Sequence, residues 1–392
     1  MKILHTADLH LGARLDTRDR EAEQRKILNE ITAVANGVNA DIVIVAGDVY
    51  HNSTPSAQAE DMFFDFVDKI SDGGNRLVFV LSGNHDDPER LGACNPLAIK
   101  RNIVVASSLD IDFKNTPREA RARIIDAGRG YVRARVGEEE CVLAFLPFFG
   151  EQKCKELAGG GDLTYNEAIR ELARVGASHF SPLSVNIFVS HLFVAGAKLA
   201  DNGEVKVGDV MAVTPDVFPK NAHIVALGHL HRAQKIGSNV YYPGSTIELR
   251  FNDHRPSVNV IDVTKGGVAS VKQVPLASAC ELRQIRVKNM AYAIKELSLA
   301  GANELIELTF VQNEPLKAAE IKELKRSFPN LCGVRLELIS AETESEERKV
   351  SRRQLSDQDL FIQFYKQKTG AEPSPRLVEM FLEIRRGTDD AD

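Results

Sequence analysis

The first two-thirds of the chain alternates short apolar runs with longer amphipathic stretches. Runs that are apolar at nearly every position are typical of strands buried on both faces of a sheet. Seven such runs are Lys2–Thr6, Ile42–Ala46, Leu77–Leu81, Ile103–Ala106, Val142–Leu146, Val185–Val189 and Ile224–Leu227. Helices are predicted between them at Glu21–Ala35 and Ala57–Ile70, and later antiparallel strands at Val240–Tyr242 and Ser257–Val263. The pattern predicts an α/β layered domain over residues 1–275.

The pattern changes after Pro275. A strand, helix, strand, helix, strand order is predicted for Arg283–Val287, Ala291–Leu299, Ile306–Val311, Leu316–Ser327 and Val334–Ile339. Residues 276–345 are therefore predicted to form a small α+β module. A charged linker, 341–353, leads into residues 346–392, where two amphipathic helices are predicted at Asp357–Thr369 and Arg376–Arg386. Because two isolated helices cannot bury their apolar faces, they either pack back on the body or dock on a partner.

Composition changes this picture little. The 392 residues are 43% hydrophobic and 27% charged, as expected of globular domains. A net charge of −6, negative in each of the three predicted segments, argues against a protein that coats nucleic acid by bulk charge. The five cysteines include no CxxC pair, and no apolar run is long enough to span a bilayer. A soluble cytoplasmic protein is expected.

Polar residues follow five of the predicted strands at their carboxyl ends, where ligands bind in layered α/β sheets. They occur in Asp8-Leu9-His10, Asp48-Val49-Tyr50-His51, Asn84-His85-Asp86, Ser190-His191 and His229-Leu230-His231. Turns need Gly, Asn and Asp, but they do not need six histidines. Imidazole and carboxylate without thiolate suit Mn, Fe, Zn or Co. The set is too large for one tetrahedral ion and suits two ions that share a carboxylate, which indicates hydrolysis of a phosphate ester.

These motifs, in this order, resemble those of the calcineurin-like metallophosphoesterases from Met1 to about Val274. The details are similar to the SbcD-type DNA-repair nucleases of that superfamily. The similarity extends to Ile3–Asp8, Ala46–Tyr50, Gly228–Gln234 and Tyr242–Ile247. It implies a layered metallophosphoesterase sandwich with a small α+β capping domain and a C-terminal helical tail.

The resemblance also implies roles for single residues. One ion is assigned to Asp8, His10, Asp48 and His231, and the other to Asp48, Asn84, His191 and His229, with Asp48 bridging. His85 is the catalytic histidine that stabilises the transition state or protonates the leaving oxygen. His51 stands where many bacterial relatives have Asp. It either positions the substrate phosphate, which we favour, or contacts the metal ligands and holds them in place. Arg14 and Arg90 lie on the ligand-bearing loops and are candidate DNA contacts, although loop arginines are usually only solvated.

The implied activity is two-metal, Mn²⁺-dependent cleavage of DNA in double-strand break repair, recombination and replication. It comprises 3′-to-5′ exonuclease action on duplex ends and endonuclease action on single strands. The implied partners are DNA and an SbcC-like ABC ATPase, bound by a homodimer. Met62, Phe63, Phe66 and Val67 lie at helical spacing and fit either a dimer interface or the core.

Two alternatives remain from the residues themselves. The first is a phosphomonoesterase or protein phosphatase on the same dimetal site. Protein phosphatases of the superfamily have GDxxDRG and GNHE, whereas this chain has His51-Asn52-Ser53 and Asp86 at those places and lacks the arginine that grips a phosphomonoester. The second is a scaffold with a dormant site, which the complete ligand set argues against.

Overall fold

The computed structural model describes residues 1–16, 18–111, 120–198, 211–251, 253–301, 303–313, 316–338, 358, 361–362, 365, 372–378 and 380–381. The strands are β1 (Lys2–Thr6), β2 (Arg14–Leu15), β3 (Arg18–Asp19), β4 (Ile42–Ala46), β5 (Leu77–Leu81), β6 (Ile103–Ala106), β7 (Ala122–Gly128), β8 (Tyr131–Val136), β9 (Glu139–Leu146), β10 (Ser184–His191), β11 (Ile224–Gly228), β12 (Gln234–Ile236), β13 (Val240–Tyr242), β14 (Ser257–Thr264), β15 (Gly267–Pro275), β16 (Glu281–Val287), β17 (Glu304–Val311) and β18 (Leu331–Glu337). The α-helices are α1 (Glu21–Gly37), α2 (Ala57–Ile70), α3 (Pro88–Gly92), α4 (Asn95–Ala98), α5 (Glu151–Leu157), α6 (Tyr165–Ala177), α7 (Met290–Ser298) and α8 (Ala318–Ser327).

Two sheets form the body. One has six strands in the order β15-β14-β1-β4-β5-β6, and the other has seven in the order β12-β13-β11-β10-β9-β8-β7. Strands β1, β4, β5 and β6 pair in parallel, as do β9, β10, β11 and β13. The parallel strands of each sheet therefore deliver their carboxyl ends to one edge.

The two sheets pack face to face with helices outside. Ile44, Phe79, Phe145 and Ile187 are among the side chains of the apolar layer between the sheets. The outer face of the six-stranded sheet packs against α1 and α2, and that of the seven-stranded sheet against α6. The layers are thus helix, sheet, sheet, helix, which confirms the predicted metallophosphoesterase sandwich.

Strand positions follow the apolar runs closely. The predicted bounds of β1, β4, β5, β6 and β13 agree with the structure. The antiparallel assignment of Val240–Tyr242 is half right, because this strand pairs antiparallel with β12 but parallel with β11. The pattern did not predict the hairpin of β7 and β8, which lies at the end of the seven-stranded sheet and alternates polar with apolar residues.

The small α+β module has the predicted order of elements. Its sheet has the order β16-β17-β18, and β16 pairs with β17 in parallel. Helices α7 and α8 cover one face of the sheet, and Val287, Ile306, Leu308 and Phe310 are buried beneath them. The module lies in one compact unit with the sandwich, Met1–Phe310 and Leu316–Arg335.

Carboxylates of the sandwich bind the start of this module, and we call this contact the capping interface. Glu30 accepts backbone N–H groups from Ala277 (2.9 Å) and Ser278 (2.7 Å). Three further residues of the sandwich take part, namely Arg20, Glu23 and Glu248. The first residues of the module are thereby fixed through their backbone as well as by the buried side chains of Leu276 and Ala279.

A second compact unit comprises Val311–Pro315 and Leu336–Asp392. Among its described residues, Phe361 and Phe381 stack with ring centroids 4.3 Å apart. The predicted linker 341–353 and most of the two predicted tail helices lie outside the described residues. Over the described ranges, no helix combines the length and apolar character needed to cross a bilayer. The predicted division into 1–275, 276–345 and 346–392 stays a prediction.

Candidate metal centre

The seven predicted ligands meet at the shared edge of the two sheets. The six-stranded sheet presents four of them on the loops after β1, β4 and β5, and the seven-stranded sheet presents three at the ends of β10 and β11. They are Asp8, His10, Asp48 and Asn84 from the first sheet, and His191, His229 and His231 from the second. The structure therefore brings together all seven residues from distant parts of the chain.

Unusual backbone conformations turn these side chains into the edge. Asp8 (φ 53°), His10 (φ 44°), Asp48 (φ 51°) and His229 (φ 98°) lie in the left-handed region that non-glycine residues seldom adopt. Such strain persists only where the surrounding structure enforces it, and it concentrates at functional sites. Here hydrogen bonds between the loops enforce it, including those from the backbone N–H of Asp8 to the carbonyl of Gly47 (3.0 Å) and from that of His10 to the carbonyl of Asp48 (3.1 Å).

Glycine is required where the two sheets approach each other. A Cβ at Gly228 would overlap the carbonyl oxygen of Ala46, and one at Gly47 would overlap the imidazole of His191. Because atoms cannot share this space, any larger residue would push the two ligand-bearing edges apart.

One group of ligands comprises Asp8, His10 and His231, whose ligand atoms all lie within 4.8 Å of one another. The Nε2 atoms of His10 and His231 are 3.2 Å apart. Asp48 Oδ2 lies 3.8 Å from His10 Nε2, so this carboxylate faces the same space. These are the four residues that the resemblance assigns to one ion.

The other group surrounds Asn84. Its Oδ1 lies 3.0 Å from both His191 Nε2 and His229 Nδ1. Asp48 Oδ2 lies 3.4 Å from His191 Nε2. His191 Nδ1 lies 2.8 Å from the carbonyl of Ala46, so it donates there and Nε2 is the ring atom left to act as a ligand. Asp8 also lies within 4.8 Å of Asp48 and His191, so it borders both groups.

Burial and mutual contact shift the pKa values of these residues. Burial raises the pKa of Asp8 to about 6, against the opposing charges of His191 and His231. Burial would also raise the pKa of Asp48, but the neighbouring imidazoles of His191 and His10 hold it well below its usual range. For His191, burial is outweighed by Asp48, and the pKa rises to about 9. Burial lowers the pKa of His229 to about 3, so this imidazole is neutral, as a ligand must be.

The donor set fits a pair of divalent cations. Two buried carboxylates, four imidazoles and an amide oxygen converge with their lone pairs toward one another. Donors that face each other in this way hold either a proton between them, as the raised pKa of His191 indicates, or a metal cation. Nitrogen and oxygen donors without thiolate suit Mn, Fe, Zn or Co. Asp48, which faces both groups, is positioned to be shared.

His85 and His51 lie beside this centre and are more accessible. The backbone N–H of His85 donates to Asp48 Oδ1 (2.9 Å), and its Nδ1 lies 2.7 Å from the carbonyl of His51, to which it donates. His85 Nε2 is then the free ring nitrogen, and it lies 4.0 Å from Asp48 Oδ2. The side chain of His85 is 40% exposed, and the two histidine rings stack with centroids 5.9 Å apart.

Two carboxylates near the centre were not predicted as site residues. Asp86 is buried and accepts backbone N–H groups from Gly83, Val49 and Tyr50, which ties the loop after β4 to the loop after β5. Asp253 Oδ2 lies 3.5 Å from His231 Nδ1. Asp86 could have been found as the last residue of Gly83-Asn84-His85-Asp86. No local signal marks Asp253, because its contact with His231 arises only from the fold.

The two candidate DNA contacts lie on exposed surface and already have partners. Arg14 Nη1 lies 3.6 Å from Asp19 Oδ2, and Arg90 Nε lies 2.7 Å from Glu60 Oε1. Arg14 lines an open cavity of about 420 Å³ between the loops after β1 and β4. A role in DNA binding stays a prediction for both residues.

Comparisons with known proteins agree with this geometry. The model of the family "Calcineurin-like phosphoesterase" matches residues 1–233. The SbcD subunit of the nuclease SbcCD from Bacillus subtilis (strain 168) is 30% identical over 403 residues, which cover 100% of both chains. The SbcD subunits of two other bacteria are 32% identical over 298 residues in Rhodobacter capsulatus (70% of this chain, 69% of that protein) and 30% identical over 295 residues in Escherichia coli K12 (70% and 68%).

The match to the family model covers more than half of the chain, and the match to the B. subtilis protein covers all of it. Both agree with the resemblance drawn from the motifs after the five strands. The chain therefore belongs to the calcineurin-like phosphoesterase family, in the branch of the SbcD nuclease subunits, and is a metal-dependent phosphodiesterase.

Proposed function

We propose that the chain is a Mn²⁺-dependent DNA nuclease that processes DNA ends in double-strand break repair together with an SbcC-like ABC ATPase. The observation that carries this proposal is the meeting of two ligand groups at Asp48, with His85 held beside them. The similar bacterial proteins are subunits of the nuclease SbcCD, and they supply the substrate class.

The ligands would be divided between two ions. Asp8, His10, Asp48 and His231 would hold one, and Asp48, Asn84, His191 and His229 the other. When bound, such a pair activates water and neutralises charge on the attacking and leaving oxygens of a phosphodiester. The nitrogen and oxygen donors suit Mn, Fe, Zn or Co, and Mn²⁺ is proposed among these because the family resemblance implies it.

His85 acts on the substrate from the accessible side. With Nδ1 donating to the carbonyl of His51, its Nε2 faces the site and would hydrogen bond to the phosphate or, when protonated, give its proton to the leaving oxygen. His51 fixes this ring through its carbonyl, and its own ring would contact a neighbouring phosphate oxygen. Asp8, His10, Asp48 and His191 are buried whereas His85 and His51 are partly exposed, so the scissile phosphate would approach from the side of these two histidines.

The finer activities follow from the family. We propose 3′-to-5′ exonuclease action on duplex ends and endonuclease action on single strands. Because the net charge is −6, the ions, Arg14, Arg90 and the ATPase partner would supply most of the attraction for DNA. Met62, Phe63, Phe66 and Val67 are buried within the chain itself, so the core accounts for this stripe, and the proposed homodimer is supported by the resemblance.

The proposal is tested by His85→Gln in the full chain. We expect Mn²⁺-dependent cleavage of single-stranded and blunt duplex DNA to fall about 10²- to 10⁴-fold, because the proton donor is lost. Mn²⁺ binding measured by calorimetry should remain at two ions per chain. His179→Gln is a matched control, since His179 stacks on Tyr131 away from the site and should retain full activity.

The same assay addresses the phosphatase alternative. Turnover of p-nitrophenyl phosphate in Mn²⁺ is compared with turnover of an oligonucleotide. A nuclease should strongly prefer the oligonucleotide. The proposal fails if the wild-type chain cleaves no DNA in Mn²⁺, alone or with its ATPase partner, or if the phosphomonoester is the better substrate.

A further inference from the structure

Gln24, in the first turn of α1, holds the loop that carries His10. Its side chain is buried, with 2% of its surface exposed. The Nε2 atom donates to the carbonyl of His10 (2.8 Å), and Oε1 accepts the backbone N–H of Gly12 (3.1 Å). Since one amide fixes both ends of a three-residue segment, it restrains the turn in which His10 (φ 44°) and Gly12 (φ 85°) adopt left-handed conformations.

The same helical turn is fixed from its other side by the capping interface. Arg20, which precedes the helix, forms two hydrogen bonds with the Glu23 carboxylate, Nε to Oε2 (2.8 Å) and Nη2 to Oε1 (2.7 Å). Glu23 Oε1 also accepts the backbone N–H of Cys280 (2.8 Å). Arg20 Nη1 donates to the carbonyl of Glu248, whose carboxylate accepts the backbone N–H of Leu282 (3.1 Å).

The first turn of α1 therefore lies between the candidate metal centre and the start of the capping module. A series of hydrogen bonds runs from the His10 carbonyl through Gln24, Arg20 and Glu23 to the backbone N–H of Cys280. Each of them involves a buried or partly buried group, and consecutive hydrogen bonds share a residue or a helical turn. The backbone N–H of Gln24 donates to the carbonyl of Arg20 (2.9 Å), which joins the two halves. Such a path gives the capping module a rigid connection to a metal-bearing loop.

We propose that Gln24 is a positioning residue for His10 and that, through Arg20 and Glu23, it ties the metal-bearing loop to the capping module. The inference rests on the proposed function, since it gives His10 the role of a metal ligand. Without the Gln24 amide, the Gly12 N–H would lose its partner and the His10 carbonyl would keep only the backbone N–H of Ala13 (3.0 Å). The loop would then relax away from its left-handed turn, and the imidazole would no longer be pre-set for the ion.

The test is Gln24→Met, which keeps the length of the side chain and removes both hydrogen bonds. Residues that orient metal ligands typically change metal affinity by about 10- to 100-fold. We expect calorimetric titration of the full chain with Mn²⁺ to show one of the two ions bound about tenfold or more weakly. Nuclease activity should fall at low Mn²⁺ and recover at high Mn²⁺, which a general loss of structure would not produce.

Gln58→Met is the matched control. Gln58 is an exposed glutamine of α2 that lines the 420 Å³ cavity also lined by Gln24. Its replacement should leave Mn²⁺ affinity unchanged. Gln24→Glu is a second variant, in case Gln24→Met unfolds. It keeps the acceptor for Gly12 N–H and places an oxygen against the His10 carbonyl, which repels it, so its Mn²⁺ affinity should also be weaker than that of wild type. Affinity equal to wild type in the folded Gln24 variants would overturn the positioning role.

Glu23→Gln tests the connection to the capping module. It weakens the pair with Arg20 two links away from His10, and we expect a smaller loss of Mn²⁺ affinity, about two- to tenfold. An unchanged affinity would overturn this part of the inference. Because Mn²⁺ binding is measured without DNA, a wild-type chain that binds two ions but cleaves no DNA would refute the proposed function and leave the Gln24 comparison intact.

Discussion

The capping interface and the candidate metal centre both bury charged and polar side chains, but only one of them is complete within the chain. In the capping interface, Glu23, Glu30 and Glu248 accept backbone N–H groups, and Glu23 is paired with Arg20. In the metal centre, Asp48 and Asn84 lie within reach of the imidazole of His191, whose pKa is raised to about 9. Without metal this imidazole therefore carries a proton that must leave when it becomes a ligand, so the first contact is complete within the chain whereas the second exchanges a proton for cations.

The largest expected effect comes from removing the shared ligand of the metal centre. Saturating Mn²⁺ should raise the melting temperature of the wild-type chain by several degrees, because an ion that binds only the folded state at 100 times its Kd stabilises by about 2.7 kcal/mol. Asp48→Ala should abolish this increase and reduce DNA cleavage about 10³-fold or more, since Asp48 faces both ligand groups. Melting curves with EDTA and with Mn²⁺ measure the increase in melting temperature, and an oligonucleotide assay measures the rate of DNA cleavage.

Asp41→Ala is the control for this experiment. Asp41 is a buried aspartate at the opposite end of β4, where it accepts the backbone N–H of Lys2 and pairs with Arg121. Its loss should lower the melting temperature and leave the increase with Mn²⁺ intact. A normal Mn²⁺ increase in Asp48→Ala would show that the centre does not depend on its shared carboxylate.

The next largest effect should come from breaking the capping interface. Arg20→Met leaves the Glu23 carboxylate buried without its cation, and breaking a buried ion pair typically costs about 3–5 kcal/mol. Urea unfolding in EDTA should show this loss in the free energy of unfolding. Arg25→Met, in the helix that follows Arg20, removes partly exposed pairs with Glu21 and Asp61 and should cost about 1 kcal/mol or less. An equal loss of free energy of unfolding in Arg20→Met and Arg25→Met would show that the pair at the capping interface stabilises the chain no more than a surface pair does.

The smallest expected effect is a pH dependence at the capping interface. Burial raises the pKa of Glu248 to about 7, whereas its ordinary value is 4.5. The folded chain therefore holds this proton more tightly than the unfolded chain. The resulting stabilisation is full below about pH 4.5 and is lost as the pH rises toward 7. Glu248→Gln should remove this part of the decline, of the order of 2 kcal/mol, with a pKa unit worth about 1.4 kcal/mol.

The measurement is the difference between the two chains in free energy of unfolding, at pH 5 and at pH 7.5 in EDTA. Relative to wild type, Glu248→Gln should gain stability on going from pH 5 to pH 7.5. A constant difference would mean that Glu248 has an ordinary pKa in the folded chain. Using the difference cancels the titration of Asp8 and Asp86, whose pKa values burial also raises to about 6.

The sequence could predict the elements that are marked by a pattern of consecutive residues, and it missed those that are not. Strands β4, β5 and β6 were located to the residue because an unbroken apolar run is typical of a strand buried on both faces. The hairpin of β7 and β8 was not predicted because half of its positions face outward and carry residues such as Arg123, Arg133 and Arg135.

For the candidate site, the ligands could be predicted because chemistry confines them to the residues just after buried strands. Asp253 and Gln24 could not, since each acts through contacts with residues that lie elsewhere in the chain, Asp253 with His231 and Gln24 with His10 and Gly12. Arg20, Glu23 and Glu248 read as ordinary charged residues for the same reason. Partners within a motif leave a local pattern, whereas partners across the fold do not.

The division of the ligands between two sheets has a consequence for the newly made chain. His10 and His231 are separated by 221 positions, yet their Nε2 atoms lie 3.2 Å apart. A ribosome that has delivered only β1, β4, β5 and β6 has made four of the seven ligands, and the contacts that bring in the other three are among the slowest kind to form. The ligand set is therefore complete only after the two sheets of the sandwich have come together.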